Sequence, residues 1–384
     1  MSSGHVRLLV ILNHSVFPSG SIRRLEVAEV DLVSDLAAHF DATAIAAFHE
    51  YADNSSLSGQ LSVDALRVWD LGSVLPGGKG LGGVFRYLTA IIRLVVILPR
   101  YDIVYIFFPG TLPIIAGLLC QLLRRRYGLY VRGAWMSRGE EEGYFTGVVL
   151  GGANFVVATG EGFRQRLVRK CRRVVNEVPL TLFKPGIKPH PRDFASPRLS
   201  LMFAGRLVES KGVLDIVRAV GLLTSKKRLD VRLVVVGGGL REESEAVEAL
   251  ASECGVRDRL TLLGHQSADE MIHCYSHADV FVFPSYYPEG FPRVLYEAMM
   301  FRIPIITTPM PGVLGFLEDG KNCVFCPPRS PHELAEAIAR LGADRSLMSR
   351  LASCAASDVD QLFRGFEHNS HAEQVRALVV DAGR

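Results

Sequence analysis

The stretch PEGFPRVLYEAM, residues 288–299, holds two acids eight residues apart, Glu289 and Glu297. Pro288 and Gly290 flank the first, so it sits in a turn. The second lies among Val294, Leu295, Ala298 and Met299, in a run that reads as a helix. A carboxylate in such a run needs a partner. Pro292 suits the first helical position. The N–H groups of Gly290 and Phe291 then lie at the positive end of a helix, where an anion is favoured. Glu297, about one turn in, can reach a ligand lying over the helix start. Its alternative is an i,i+4 ion pair with Arg293.

A second pair of charges stands in AGRLVESKG, where Arg206 and Lys211 follow an apolar strand and precede a helix starting near Gly212. An arginine fork, a lysine point charge and free N–H groups together suit a diphosphate. The alternative is two solvated surface charges. Further on, VVVGGGLREE places Gly237 and two more glycines between strand and helix, allowing backbone to approach a ligand closely. A nicotinamide cofactor is disfavoured, because the next strand ends in Gly264-His265-Gln266 and not in the acid that would hold a ribose. His273 and His277 are four apart but lack the adjacent Glu of a zinc-protease motif, so a structural role is expected. Cys323 and Cys326 form a lone CxxC, and zinc is not expected there. Seven scattered cysteines, with no signal peptide read ahead of the first strand, fit a reducing cytoplasm.

The elements that position these residues alternate. In the first half, strands read at 7–13, 42–48, 64–71, 102–108, 128–133 and 154–159, with helices at 22–39, 82–98, 111–126 and 161–169. After a Pro-rich stretch at 176–198 the alternation resumes. Strands then read at 199–205, 231–238, 259–264, 280–285, 304–308 and 322–328, with helices at 212–224, 241–254, 267–276, 292–301 and 331–340. Such alternation implies parallel sheets covered on both faces. A chain of 384 residues is long enough for two such domains. The boundaries are placed at 1–186 and 187–365. The stretch from about Asp358 is helical and belongs clearly to neither half, although a helix at about 366–384 could return to the first domain.

Charge is uneven: residues 1–190 carry 21 Lys+Arg against 15 Asp+Glu, a net +6, and the remainder carries 22 against 25, a net −3. A basic front half fits an anionic partner such as a membrane surface, although +6 over that length is also unremarkable. No nucleic-acid partner is expected. Residues 103–123 are uncharged and three arginines follow, which imitates a membrane span. The Pro109-Gly110 break inside the run predicts a buried strand followed by a packed helix instead.

AGRLVESKG, then LGHQSADEMIHCYSHADVFVFPS, then PEGFPRVLYEAMMFRIPIITT resembles the retaining glycosyltransferases of family 4, also called group 1. Glu289 and Glu297 match that family's E-x7-E signature. The similarity is strong over about 199–330 and looser in front, where FPSGSIRR and VPLTLFKP match. The resemblance implies a GT-B fold: α/β, two doubly wound Rossmann-like domains facing across a cleft, with an acceptor on the first domain and a UDP-, GDP- or ADP-sugar on the second. It implies that Arg206 and Lys211 clamp the diphosphate. Glu289, with the N–H groups of Gly290 and Phe291, would hold the donor sugar, and Glu297 the ribose. Gly264, His265 and Gln266 would border the base, and Gly20 and Gly237 would allow close approach. No metal and no cofactor are implied.

Three positions depart from the family pattern. Gly20 is followed by Ser21 and not a second glycine. Gly315 in PMPGVLGFLEDG stands where many members carry a Glu. Arg132 in YVRGAW stands where some members carry a His near the reaction centre. An arginine is a poor base but can hold phosphate or an anionic acceptor. The acceptor implied is a glycan or lipid-linked glycan of cell-surface polysaccharide or lipopolysaccharide synthesis. The apolar helix at 84–98, with Arg86 and Arg93, could then rest on the inner membrane leaflet, or simply cover the sheet. A sugar-nucleotide epimerase and a non-catalytic nucleotide-sugar-binding subunit remain the alternatives.

Overall fold

A computed structural model of the chain describes residues 6–13, 17–19, 22–25, 27–50, 59–62, 66–74, 81–132, 143–177, 181, 183, 198–225, 229–287, 289–365 and 370–381. In chain order the first elements are β1 (Arg7–Ile11), β2 (Phe17–Ser19), β3 (Ile22–Leu25), α1 (Val27–His39), β4 (Ala42–Glu50), β5 (Gly59–Ser62), β6 (Arg67–Val74) and α2 (Leu81–Ile97). Then come β7 (Ile103–Phe108), α3 (Thr111–Leu122), β8 (Tyr127–Val131), α4 (Tyr144–Gly152), β9 (Phe155–Ala158), α5 (Glu161–Leu167) and β10 (Val174–Asn176). The next are β11 (Leu199–Ala204), α6 (Val213–Ser225), β12 (Val231–Val236), α7 (Arg241–Glu253), β13 (Leu260–Gly264), α8 (Ala268–His277) and β14 (Val280–Phe283). The last are α9 (Arg293–Met300), β15 (Ile305–Thr307), β16 (Val324–Phe325), α10 (Pro331–Ala343), α11 (Arg345–Arg364) and α12 (His371–Asp381).

Two compact units result, one of residues 1–178 with 367–384, the other of 179–366. In the first, seven parallel strands run β10-β9-β8-β7-β1-β4-β6. Alternation along each strand serves the two faces. Leu9, Ile11, Ala44, Val104 and Ile106 meet Ala90 and Leu94 of α2, Ala116 of α3 and Val149 of α4. Leu8, Val10, Ile45 and Tyr105 meet Leu36 of α1 and Val375 of α12 on the other side. All six residues of β7 are buried, as a strand covered on both faces requires. That is why 103–123 imitates a span: the run is a strand and then helix α3, broken at Pro109-Gly110. Among the described residues no helix is long and apolar enough to cross a membrane.

The second unit has six parallel strands in the order β13-β12-β11-β14-β15-β16. The strand order reverses between β11 and β14, where the connections leave in opposite directions. Such a switch point opens a crevice beyond the strand ends, and ligands of open parallel sheets bind there. AGRLVESKG follows β11 and PSYYPEGF follows β14, so both charged loops flank this crevice.

Two sequence expectations, at 22–39 and at Pro292, are corrected, and two stretches left open are assigned. The helix expected at 22–39 is strand β3 and then α1, because IRRL pairs antiparallel with both β2 and β5. The Gly-rich run YFTGVVLGG, unassigned from sequence, forms α4 against α3. The late stretch divides between the two units: α11 lies in the second and α12 in the first, where it packs on α1. Pro292 caps α9 and does not open it, with φ −65° and ψ 127°.

Candidate functional site

At the switch point the two charged loops meet. Lys211 ends a short 3-10 turn, Glu209–Lys211, just past β11. Its Nζ donates to Oε1 of Glu289. The Ser285 hydroxyl, just past β14, donates to the same oxygen at 3.2 Å and lies 3.4 Å from the Ser210 carbonyl. The Lys211 side chain is 9% exposed and that of Glu289 21%. Rings of Phe283 and Tyr287 lie 5.5 and 5.1 Å from Nζ. Burial pulls the Lys211 pKa down; Glu289 opposes that pull, and the neighbouring charge of Arg206 adds to it. Arg206 itself is exposed. Two cations thus border one crevice, and the deeper one is neutralised by a carboxylate.

Local backbone makes this approach possible. Gly212 has φ +79°, and a Cβ there would stand 2.5 Å from the Pro284 carbonyl oxygen. Only glycine brings the β11 turn under the end of β14 in that conformation. Gly237, at φ +121°, similarly lies where a Cβ would stand 2.1 Å from the Gly205 carbonyl oxygen. Its N–H donates to the Gly264 carbonyl at 2.8 Å. That bond sets the β12 and β13 loops side by side. The His265 ring lies against Gly238, where a Cβ would come within 2.4 Å of Nε2. The Gln266 amide donates to the Leu263 and His265 carbonyls at 2.8 and 3.1 Å. Gly264 and His265 are exposed beside the glycine loop, with Gln266 partly so.

The second acid of the pair behaves differently. Glu297 is wholly buried on α9. Its Oε2 accepts from the Tyr275 hydroxyl at 2.8 Å, and Oε1 lies 3.4 Å from Nε of Arg293. The i,i+4 pairing with Arg293 is therefore present, joined by a tyrosine from α8. Burial, reinforced by Glu297, holds the Tyr275 pKa well above its usual value. Gly290 and Phe291 are half-buried at the start of α9. The Phe291 ring stacks on Tyr296 at 3.9 Å and meets Phe316 edge-on at 5.4 Å.

In the first unit Arg132 follows β8, and its N–H donates to the Phe108 carbonyl at 3.0 Å. Its guanidinium carbon lies 5.6 Å from the Tyr130 ring centre. The Tyr130 hydroxyl donates to Oε1 of Glu177. His371, the first residue of α12, lies 3.0 Å through Nε2 from the Tyr105 hydroxyl and 3.5 Å through Nδ1 from Glu177. Burial pushes Glu177 up to about 7 and His371 down to about 3; the Arg132 charge acts to lower both. Gly20 and Ser21 lie outside the described residues.

Sequence reasoning missed Ser285, Tyr275, Glu177 and His371. Ser285 had a signal, being the polar residue that ends an apolar strand at the rim. The other three had none, since their partners come from separate elements. The remaining candidates make local contacts. His277 Nδ1 lies 2.8 Å from the His273 carbonyl. Asp358, where the late helical stretch begins in the sequence, accepts from the Asn322 amide at 2.7 Å. Burial raises the thiol pKa of Cys326 to about 12 and that of Cys323 further still. Among the described residues no cluster of three or more His, Cys, Asp or Glu could hold a metal.

Two doubly wound α/β units, the second with cations and a carboxylate at its switch point, define a GT-B-type architecture. Residues 190–358 match the family model described as glycosyl transferases group 1. That stretch, which makes up most of the second unit, belongs to the glycosyl transferases group 1 family. The alpha-D-kanosaminyltransferase of Streptomyces kanamyceticus is 33% identical over 156 residues, 41% of this chain and 39% of that protein. The D-inositol 3-phosphate glycosyltransferase of Streptomyces bingchenggensis is 32% identical over 244 residues, 58% of this chain and 51% of that protein. The chain thus matches about half or less of these relatives' lengths. In fold, the chain resembles Anabaena HepE, solved in complex with UDP, with a TM-score of 0.69 and 17% identity over 98% of this chain and 100% of that one.

Proposed function

We propose that the chain is a retaining glycosyltransferase that moves a sugar from a nucleoside-diphosphate sugar to a glycan or lipid-linked acceptor. The Lys211–Glu289 pair at the β11/β14 switch point carries this reading. Lys211 and Arg206 take the diphosphate, and their charge balances the leaving group without a metal. Glu289, released from Lys211, accepts from the donor sugar's hydroxyls. The N–H groups of Gly290 and Phe291 face the diphosphate from the start of α9. Gly237 lets backbone approach it, and Gly264, His265 and Gln266 border the base. Glu297 reaches the ribose by exchanging Arg293 for it. In the first unit Arg132 holds an anionic group of the acceptor.

The acceptor hydroxyl attacks from the face the diphosphate leaves, and a diphosphate oxygen takes its proton. Hydrogen bonds that strengthen as negative charge builds on that oxygen lower the barrier. The UDP held by HepE favours a uridine donor. The acceptor belongs to cell-surface polysaccharide or lipopolysaccharide synthesis, and the protein works in the cytoplasm at the inner face of the membrane. Seven free cysteines support a reducing compartment.

A thermal-shift screen of UDP-, GDP- and ADP-sugars tests the donor, because a ligand at 100 times its Kd stabilises by about 2.7 kcal/mol. No shift with any of them in the wild-type chain sinks the reading. Donor alone separates the epimerase alternative: an epimerase converts it, whereas a transferase at most hydrolyses it slowly.

A further inference from the structure

Helix α2 has two apolar faces. Ala90, Leu94 and Ile97 are buried against the sheet. On the opposite side Val84, Phe85, Leu88, Ile92, Val95 and Val96 are all exposed, Phe85 and Ile92 at 68% each. At 100° per residue those six span about 120° of circumference centred away from the sheet. A surface helix normally turns charge outward there, and contiguous bare apolar surface marks an interaction site. The helix is 17 residues long and carries two arginines and no acid. It does not meet the length and hydropathy a span needs, so it can only lie along a partner.

Charge selects that partner. Residues 81–145, from α2 to the exposed rings of α4, carry eight arginines against four acids, Asp102 and Glu140, Glu141 and Glu142. Arg86 and Arg93 occupy the flank between the two faces of α2. Arg86 lies 4.9 Å from the rings of both Phe48 and Tyr87, and Arg93 reaches the Asp70 carbonyl at 2.6 Å and its carboxylate at 3.4 Å. Exposed Arg100 and Arg124 follow the ends of α2 and α3. Self-association through this face would be isologous and would set the same arginines against each other. An anionic surface meets no such penalty. Tyr144 and Phe145, exposed at the start of α4, add a pair of aromatic rings 5.6 Å apart. Tyrosine is enriched at headgroup depth, and phenylalanine on the lipid-facing side of interfacial helices. Helices α2, α3 and α4 lie side by side on one sheet face, and each starts at the rim where the parallel strands end.

We propose that the outward face of α2, with Tyr144 and Phe145, seats the first unit on an anionic lipid bilayer, α2 lying in the headgroup region parallel to the surface. Basic residues near the surface add an attraction that salt weakens. The test is flotation of the full chain with vesicles of phosphatidylcholine, with and without about 30% phosphatidylglycerol. The wild-type chain floats with the anionic vesicles and is released by about 0.5 M NaCl. The double variant Phe85→Ser/Ile92→Ser, altered only at exposed positions, loses at least ~10-fold in partitioning. Its melting temperature and its thermal shift with nucleotide-sugar stay at wild-type values, so the donor reading stands or falls separately. Equal flotation of the variant, no flotation of the wild-type chain, or a wild-type dimer by light scattering that the variant dissolves would each overturn the proposal.

Discussion

Removing one member of the Lys211–Glu289 pair separates what the pair does for the fold from what it does for the ligand. Glu289→Gln leaves the Lys211 ammonium, 9% exposed, without its counter-charge. A fully buried orphan costs about 3–5 kcal/mol; residual exposure and the neutral glutamine carbonyl left as acceptor reduce that to about 2 kcal/mol. Lys211→Met orphans Glu289, which is 21% exposed and keeps Ser285, so its cost is lower, about 1 kcal/mol. In the double variant both charges are gone and the volume is kept. Its stability returns to within about 1 kcal/mol of wild type, a coupling of about 2 kcal/mol. Donor binding does not return. A charge-assisted hydrogen bond is worth about 1.5–3 kcal/mol, so Lys211→Met loses about 10- to 150-fold in affinity. Turnover falls at least ~100-fold, because the bond strengthens as the diphosphate leaves. Arg206→Ala falls comparably in turnover with no loss of stability, because that side chain is exposed. Urea unfolding of the four chains gives the cycle, and thermal shift with nucleotide-sugar gives the binding. Additive destabilisation in the double variant would refute the pairing. A Lys211→Met chain with wild-type turnover would refute the phosphate clamp.

Other outcomes follow from the same geometry. Glu177, pushed up to about 7 from an ordinary 4.5 by burial, favours the fold when protonated. Its stabilisation is complete below about pH 4.5 and is lost as pH rises through about 7. His371, lowered from 6.5 to about 3, favours the fold when neutral, so that contribution is lost as pH falls from about 6.5 towards 3. Thermal melts should therefore peak near pH 5–6, and Glu177→Gln should flatten the alkaline side; an unchanged alkaline decline there counts against the buried carboxyl. Gly212→Ala should cost at least ~2 kcal/mol in urea unfolding, because a Cβ at φ +79° meets the Pro284 carbonyl; a neutral result would contradict the close approach. Tyr275→Phe removes the hydroxyl that donates to buried Glu297 and should lower stability by about 1–3 kcal/mol. If Glu297→Gln lowers stability but leaves donor affinity unchanged, the Arg293 pairing is the whole role of that acid.

Strands β1, β7, β11 and β14 were legible because a strand covered on both faces must be apolar throughout, and Gly110 and Gly205 mark the ends of β7 and β11. Arg206, Lys211 and Glu289 were legible because each lies within a few residues of such an end. Strand β3 was not, since one partner, β5 (Gly59–Ser62), is remote in sequence, and the other, β2, is only three residues long. The environment of Glu297 was half legible: Arg293 shares its helix, but Tyr275 reaches it from α8. Hydropathy left α2 undecided, because a helix bare on one side and one buried all round have the same composition. Burial, which decides between them, is a property of neighbours that the local sequence does not name.

Helix α12 imposes an order on how the protein is made. Residues 371–381 leave the ribosome after the whole of the second unit, yet Ala372, Val375, Leu378 and Val379 complete a core begun by residues 8–12. Until they arrive, one face of the first sheet stands open around Tyr105 and Tyr130. The unit synthesised first is thus the last to be finished, and a nascent chain exposes that face throughout synthesis of the other unit. A chain ended between residues 366 and 371 would have an intact second unit and an unsealed first one, a product suited to removal by proteases.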